Sequence, residues 1–427
     1  MPLSRHFYSI DEVAAALQYS SYRNEHKETL FWCKELVLSG CISETISTLF
    51  RSWLWHKGHI SWLVHAWKLS SDELSEDDII LSTYQLSVLP QDHSLWNVLA
   101  SNAIDSSIPD RVTARSPTFP SDDPKEMYFI RSLYQGKGRC AWWISQYIPS
   151  VWSLLEWYIN TLHPLHSKMY SICFHVLQNY ERLLGYRSKE YDIVVQCSAI
   201  LSVASLRFHK IIEVPDKIDP FYTTLIKKWD TMVGRKAQRL YKIPSACLYG
   251  IQSQPHELNN VEKHIIGCPF WEEAISEYGT INNTIIWNSD DDMESFYDTM
   301  FPDDIPDEWT KKEKEMSHRS QSQSQSQSQS QSQSQSQSLS QSQSLSQSQS
   351  QSQSLSQSLS QSLSLSQSHT LQKYASLYLS KRSQFVWVLP KDYKNIENIE
   401  PSMICTLFIL SELDIRLLEP VRKVLCL

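Results

Sequence analysis

Nine glycines in 427 residues leave this chain few ways to turn sharply. Glycine enters φ > 0 without steric cost, and tight hairpins depend on it. A chain this poor in glycine reads as helices joined by short loops. Its fifteen tryptophans supply the large apolar surfaces that such helices bury against one another. Hydrophobic residues make up 41% and charged residues 20%, enough apolar material for two or three cores.

Apolar periodicity points the same way over the first 240 residues. Ser9 followed by Asp11 and Glu12 opens a helix with acids at the positive end of its dipole. Leu30, Cys33 and Val37 share one face of a helix that stops at Gly40. Ser75-x-x-Asp78 has capping-box spacing, and the helix it opens ends at Pro90. Met169, Ile172, Cys173, Val176, Tyr180, Leu183 and Leu184 form a stripe closed by Gly185. The following segment, from Tyr191 to Leu206, is apolar nearly all round, as expected of a central helix covered on several sides.

An internal repeat emerges when helix pairs are aligned on their connecting turns. "LSTYQLSVLPQDHSLW" and "LEWYINTLHPLHSKMY" agree at Leu81/Leu155, Tyr84/Tyr158, Pro90/Pro164 and Trp96/Tyr170, all 74 residues apart. Related aromatic-led segments begin at Trp62 and Tyr128, so the steps to and from Trp96 are 34 and 32 residues. A helix stopped by proline, a short turn and an aromatic six residues on is a helix–turn–helix unit. Repetition at this period suits a short α-solenoid.

From Ser320 to Ser368 the chain is an almost pure Ser-Gln repeat. Such a sequence cannot bury enough apolar surface to offset its ordering entropy, so it reads as a disordered tether with a mean span of about 40 Å. Its six leucines (339, 345, 355, 359, 363 and 365) all occupy Gln positions, the mark of a slipped six-base repeat with later point changes. Ser-Gln is also favoured by DNA-damage-signalling kinases, but a bare repeat supplies that dipeptide by default. Beyond it, Phe385, Trp387 and Leu389 alternate as in a short extended segment. An apolar helix between Pro401 and Pro420 is expected to dock on the main body or on a partner.

Net charge is −8, which offers no general field for nucleic acid or anionic membrane. Nine scattered cysteines without a Cys-x-x-Cys pair fit a reducing compartment. The N-terminus lacks the apolar stretch of a signal peptide, and the longest apolar run, Ile193–Leu206, is too short to span a bilayer. Cys426 does not make the usual prenylation pattern. These features lead to an expectation of a soluble cytoplasmic protein.

No Gly-x-Ser-x-Gly elbow, His-Glu-x-x-His pair, kinase signature or dinucleotide fingerprint is present, and "GKGRC" at Gly136–Cys140 lacks P-loop spacing. Cys247, His256, His264 and Cys268 have the chemistry of a closed tetrahedral zinc site, although their intervals are not standard; unrelated positions in space are the simpler reading. His56, His59 and His65 lie among Trp53, Trp55, Trp62 and Trp67, consistent with a helix–turn–helix junction at Gly58 or with a His-rich aromatic pocket. Lys227, Lys228, Arg235, Lys236, Arg239 and Lys242 face the single acid Asp230, giving that window a charge of +5. It suits phosphate contact, with Trp229 and Tyr241 for stacking, or simply a solvated basic face. The acids of "SDDDMESFYD" and "FPDDIPDEW" lack the glycine and final glutamate of a calcium loop and read as a solvated segment.

The helix-pair repeat resembles that of protein prenyltransferase α subunits, in which a helix ends at proline and a Trp-x-x-Arg helix opens six residues later. Pro90 with Trp96, and Pro164 with Tyr170, match the spacing, with Leu99 and Cys173 in the arginine places. Trp62 has His65 there, and Tyr128 keeps Arg131. The resemblance covers roughly residues 28–185. It implies a crescent of helix pairs that embraces a β subunit, with zinc and isoprenoid diphosphate on that partner and none in this chain. No catalytic residue is carried over. The expected organisation is mainly α: a helical-repeat domain over 1–250 and an irregular acidic region with short helices over 251–316. A disordered Ser-Gln repeat over 317–370 precedes a C-terminal part, 371–427, whose helix docks on the body. Three functions follow: an α-subunit-like, non-metal-binding partner in a prenyltransferase complex, a non-enzymatic helical scaffold, or a nucleic-acid-binding accessory factor using 227–242.

Overall fold

The computed structural model describes residues 2–71, 73–104, 111–115, 117–230, 241, 243 and 262–300. The Ser-Gln repeat, the acids after Met300 and the C-terminal helix expected between Pro401 and Pro420 lie outside the described residues. What is described is mainly helical, with one two-stranded sheet. It divides into two compact units: the residues before Gln254 together with Gly267–Trp271, and a second that includes Pro255–Ile266 and the stretch from Glu272.

The first unit runs α1 (Ile10–Tyr22), α2 (His26–Leu38), α3 (Ile42–Ser52), one turn of π-helix (Trp53–Lys57) and α4 (Ile60–Ala66). Then come α5 (Glu76–Val88), α6 (Ser94–Ile104), α7 (Pro124–Tyr134), α8 (Gly138–Ser145) and α9 (Val151–Leu162). The last four are α10 (Ser167–Gln178), α11 (Glu181–Leu184), α12 (Lys189–Ser205) and α13 (Pro220–Asp230).

Local chemistry sets these boundaries. Ser75 Oγ accepts from the Asp78 amide at 3.2 Å and donates to its carboxylate at 2.5 Å, so the capping box opens α5. Leu89 is already extended before Pro90, which bars the α conformation for its predecessor. Gly40 closes α2 at φ +74°, and the next amide, that of Cys41, reaches back to Leu36 O at 2.9 Å. The stripe expected from Met169 to Leu184 is interrupted at Asn179 and becomes α10 and α11. Its buried face is Tyr170, Cys173, Phe174, Val176 and Leu177, whereas Met169 and Ile172 are half-buried.

α12 is the covered central helix: it packs against α6, α7, α8, α9 and α10. Contacts also join elements distant in sequence, α3 with α11 and α4 with α10. Trp32, Trp53, Trp55, Trp62 and Trp96 are all fully buried, and truncating any one of them to alanine is worth about 3–5 kcal/mol.

Before α1, residues 2–9 are tied down by a buried polar cluster. Glu35 on α2 is 2% exposed and accepts from Ser4 Oγ at 2.5 Å, the His6 amide at 3.0 Å and His6 Nδ1 at 2.6 Å. Burial favours the neutral acid, but the His6 ring, the Ser4 hydroxyl and the His6 amide together outweigh it and hold the carboxyl below its ordinary range. The Ser4 hydroxyl donates to Glu35 and not to His6, so this is an anchor and not a nucleophile relay.

In the second unit, a hairpin pairs Gly279–Asn282 with Thr284–Trp287, turning on Asn283 at φ +57°. Phe296, from the helix Asp290–Met300, packs under it against Tyr278 and Trp287. Asp290, Asp291 and Asp292 form that helix's first turn, and Ser289 caps it through the Asp292 amide at 3.1 Å. The hairpin is absent from the sequence reading, which had only short helices there.

Candidate functional site

Within the described first unit, a second set of buried polar side chains gathers at the Gly58 junction. The amide of Gly58 reaches Trp53 O at 2.8 Å, an i to i−5 bond that makes the preceding turn π-helical, and Gly58 itself turns at φ +62°. The wider turn directs Trp53, Leu54, Trp55, His56 and Lys57 all into the protein. Trp55 stacks on Trp96 with centroids 4.4 Å apart, and Trp96 Nε1 donates to Trp55 O.

Lys57 is fully buried. Its ammonium donates to Leu89 O at 2.7 Å and to Asn24 Oδ1 at 3.1 Å, and so caps the C-terminal end of α5. Burial pushes its pKa down to about 7. Asn24, at φ +60°, completes the clamp by donating to Ser87 O and Leu89 O. Beside it, the Gln18 amide nitrogen lies 3.0 Å from His56 Nε2, which therefore accepts and leaves the ring proton on Nδ1. That Nδ1 has no partner. Burial, with Lys57 and His93 adding to it, drives His56 to about 3. The pKa values of His59 and His93 are likewise lowered by burial, against the opposing pull of Asp92. The imidazoles here are neutral at physiological pH.

The junction opens on a cleft of about 680 Å³. Gly58, His59, Ser61 and Asp92 line one part of it, while Tyr170, Ser198 and Ser202 line another. His59 meets the Pro90 carbonyl with one ring nitrogen, while Nε2 is buried and unpartnered. Ser61 Oγ, on the first turn of α4, is likewise buried without a partner. Neither bonds to the other, so His59 and Ser61 form no assembled nucleophile–base pair.

The repeat-motif residues behave in two ways. Trp62, Trp96 and Tyr170 are buried, and each donates its polar hydrogen to a main-chain carbonyl, of Ser82, Trp55 and Ser202 respectively. Tyr128 is half-buried against Trp143, and Phe129 takes the buried position beside it, on the same helix as Arg131. Pro90 follows the end of α5, and Pro164 opens a short 3₁₀ turn after α9.

Of the basic window, Lys227 and Lys228 are exposed at the end of α13, and Asp230 pairs with Lys34 at 2.6 Å. Trp229 is buried against Phe31, and Tyr241 packs on the same ring, so both stacking candidates serve the core. Arg235, Lys236, Arg239 and Lys242 lie outside the described residues, as do Cys247 and His256 of the zinc candidate. His264 sits on the short helix Glu262–Ile265 in the second unit; Cys268 is buried in the first, beside Cys41. Among the described residues no three metal-ligating side chains cluster, and no helix is long and apolar enough to cross a membrane.

Sequence reading noted the histidines and tryptophans around Gly58 but missed Lys57, Asn24 and Gln18. The only available signal was the His-Lys-Gly-His string itself. Compared with known proteins, the chain matches no family model, no curated protein and no solved structure.

Proposed function

We propose that this chain is a partner-binding helical subunit of the protein prenyltransferase α-subunit type. The observation that supports the reading is the shared role of Trp62, Trp96 and Tyr170. All three stand at the same repeat position, all are buried, and all bond a main-chain carbonyl of a neighbouring segment. A position that does the same structural job in three of the four helix pairs, Tyr128 being the half-buried exception, supports a repeat architecture. In this reading the chain supplies a helical frame, and the zinc and isoprenoid diphosphate belong to the β subunit. The test is isolation of the tagged full chain from native cytosol with quantitative mass spectrometry. A stoichiometric prenyltransferase β subunit is expected; its absence at comparable expression overturns the assignment.

A second reading, a helical scaffold that also holds a small polar ligand, is favoured by the cleft, whose lining includes His59, Asp92, Ser198 and Ser202. Asp92, half-buried on that lining, is an acceptor beside His59, so the ligand group it takes is a hydroxyl or amine donor. Native mass spectrometry of the purified chain is expected to show a bound small molecule that is lost in His59→Ala. Identical spectra for both proteins sink this reading.

A further inference from the structure

Cys41 and Cys268 are 227 positions apart in the chain and share one site. Cys41 Sγ lies 3.7 Å and Cys268 Sγ 3.5 Å from the same carbonyl oxygen, that of Ser39, to which both thiols donate, and each side chain perturbs the other's ionisation. The adjoining backbone explains the meeting. Gly40 and Pro269 are in such close contact that a Cβ on Gly40 would stand 2.8 Å from Pro269 Cβ, and the Phe270 amide donates to Ser39 O at 3.2 Å. Their chain neighbours, Cys41 and Cys268, are therefore held face to face. Cys41 is partly exposed and Cys268 is buried, so an oxidant reaches the pair through Cys41.

We propose that Cys41 and Cys268 form a reversible redox pair that staples the segment 267–271 to the turn between α2 and α3. The oxidant is a hydroperoxide. Cys41 rests as the thiol, its pKa raised by its contact with Cys268 and by burial; once it gives up that proton, its sulfur attacks the distal peroxide oxygen, the O–O bond breaks, a sulfenic acid forms, and the departing oxygen takes up the released proton to leave as an alcohol or as water. The Cys268 thiolate then attacks the Cys41 sulfur, the S–S bond forms, and hydroxide leaves to be protonated to water. Two electrons pass from the two sulfurs to the peroxide, and a small dithiol restores the pair by exchange. Cys268 is well placed to resolve the sulfenic acid, because its contact with Cys41 and the nearby Trp271 amide favour its thiolate.

The experiment uses the purified full-length chain, treated with hydrogen peroxide, alkylated and digested without reductant. A Cys41–Cys268 cross-linked peptide is expected, abolished by dithiothreitol, together with a rise of about 5 °C in melting temperature. In Cys268→Ala the peroxide product is expected to stop at a Cys41 sulfenic acid that a dimedone-type probe captures. Two results overturn the proposal: Cys41 and Cys268 remaining fully alkylatable after peroxide treatment of the folded wild type, or Cys268 linking to another cysteine. The wild-type measurement stands whether or not the variant folds.

Discussion

Replacing Glu35 by alanine removes the acceptor on which the N-terminal segment is hung. Three hydrogen bonds disappear at once, from Ser4 Oγ, the His6 amide and His6 Nδ1, all in a site that is 2% exposed at Glu35 and 2% at His6. Removing the shared acceptor of a buried hydrogen-bonded cluster costs about 3–5 kcal/mol, because the donors left behind cannot regain water. At about 2–4 °C per kcal/mol this lowers the melting temperature by roughly 10 °C. Glu35→Gln keeps the shape and part of the bonding and is expected to cost about 1–2 kcal/mol. The pH dependence follows from the depressed carboxyl. Its stabilisation is fully present above the ordinary carboxylate range and is lost as pH falls through the lower folded-state value. The gap between wild type and Glu35→Gln therefore narrows in acid, where the wild type becomes neutral at this position too. Urea unfolding from pH 7 down to pH 3, with the His6→Ala/Glu35→Ala cycle, measures both effects. A loss under 1 kcal/mol for Glu35→Ala, or a coupling energy near zero, refutes the reasoning.

Lys57, with its folded pKa near 7, binds fewer protons than the unfolded chain between pH 7 and about 10, so this group makes stability rise with pH across that window. Lys57→Met is expected to flatten the rise, by up to about 1.4 kcal/mol per pH unit, in parallel denaturation series. Gly40→Ala meets both a left-handed φ and Pro269, whereas at Gly185, φ +86°, an added Cβ meets nothing within 4 Å. Gly185→Ala is expected to cost about 1 kcal/mol and Gly40→Ala distinctly more; equal losses in chemical unfolding would remove the argument from close approach. Tyr170→Phe deletes only the bond to Ser202 O and is expected to cost about 1 kcal/mol, while Trp96→Ala loses its stack on Trp55 as well and costs about 3–5. Calorimetry that ranks them in the opposite order contradicts the shared repeat role.

Local rules made much of the helical framework legible. The stops at Gly40, Pro90 and Gly185, the cap at Ser75 and the all-round apolar α12 follow from nearest-neighbour chemistry. What escaped depends on partners far away. A lysine in a polar string reads as surface, and nothing near Lys57 in sequence announces that Leu89 O and Asn24 Oδ1 will surround its ammonium. The π-turn inserts one residue into the helical period, so counting by 3.6 misassigns the faces of residues 53–57. Met169 and Ile172 were expected on the buried stripe, but the face turns toward Tyr170 and Phe174, which find Ser202 O and Trp152. The hairpin at Asn283 has no glycine in its turn, and asparagine's tolerance of the left-handed region is a weak signal. Cys268 drew notice as a potential zinc ligand, yet its described neighbour is a thiol from the other end of the unit.

The two buried polar clusters share a logic that the apolar core cannot supply. Tryptophans stacked on Trp53 and Trp55 reward any arrangement that excludes water, and several registers of one helix on another satisfy them nearly equally. Lys57 and Glu35 do not tolerate that freedom. Shifting α5 by one residue moves Leu89 O away from the Lys57 ammonium, and shifting α2 takes Glu35 away from Ser4 and His6. Each misregistered state then carries a buried, unpaired charge costing several kcal/mol, whereas the native one does not. The desolvation cost carried by both clusters thus widens the gap between the native packing and its near neighbours. Trp271 extends the same selection to the segment 267–271. Its Nε1 donates to Ser4 O at 3.1 Å, one residue from the Arg5 guanidinium that lies over Phe270, so Glu35 and Ser4 also help to fix where Cys268 meets Cys41.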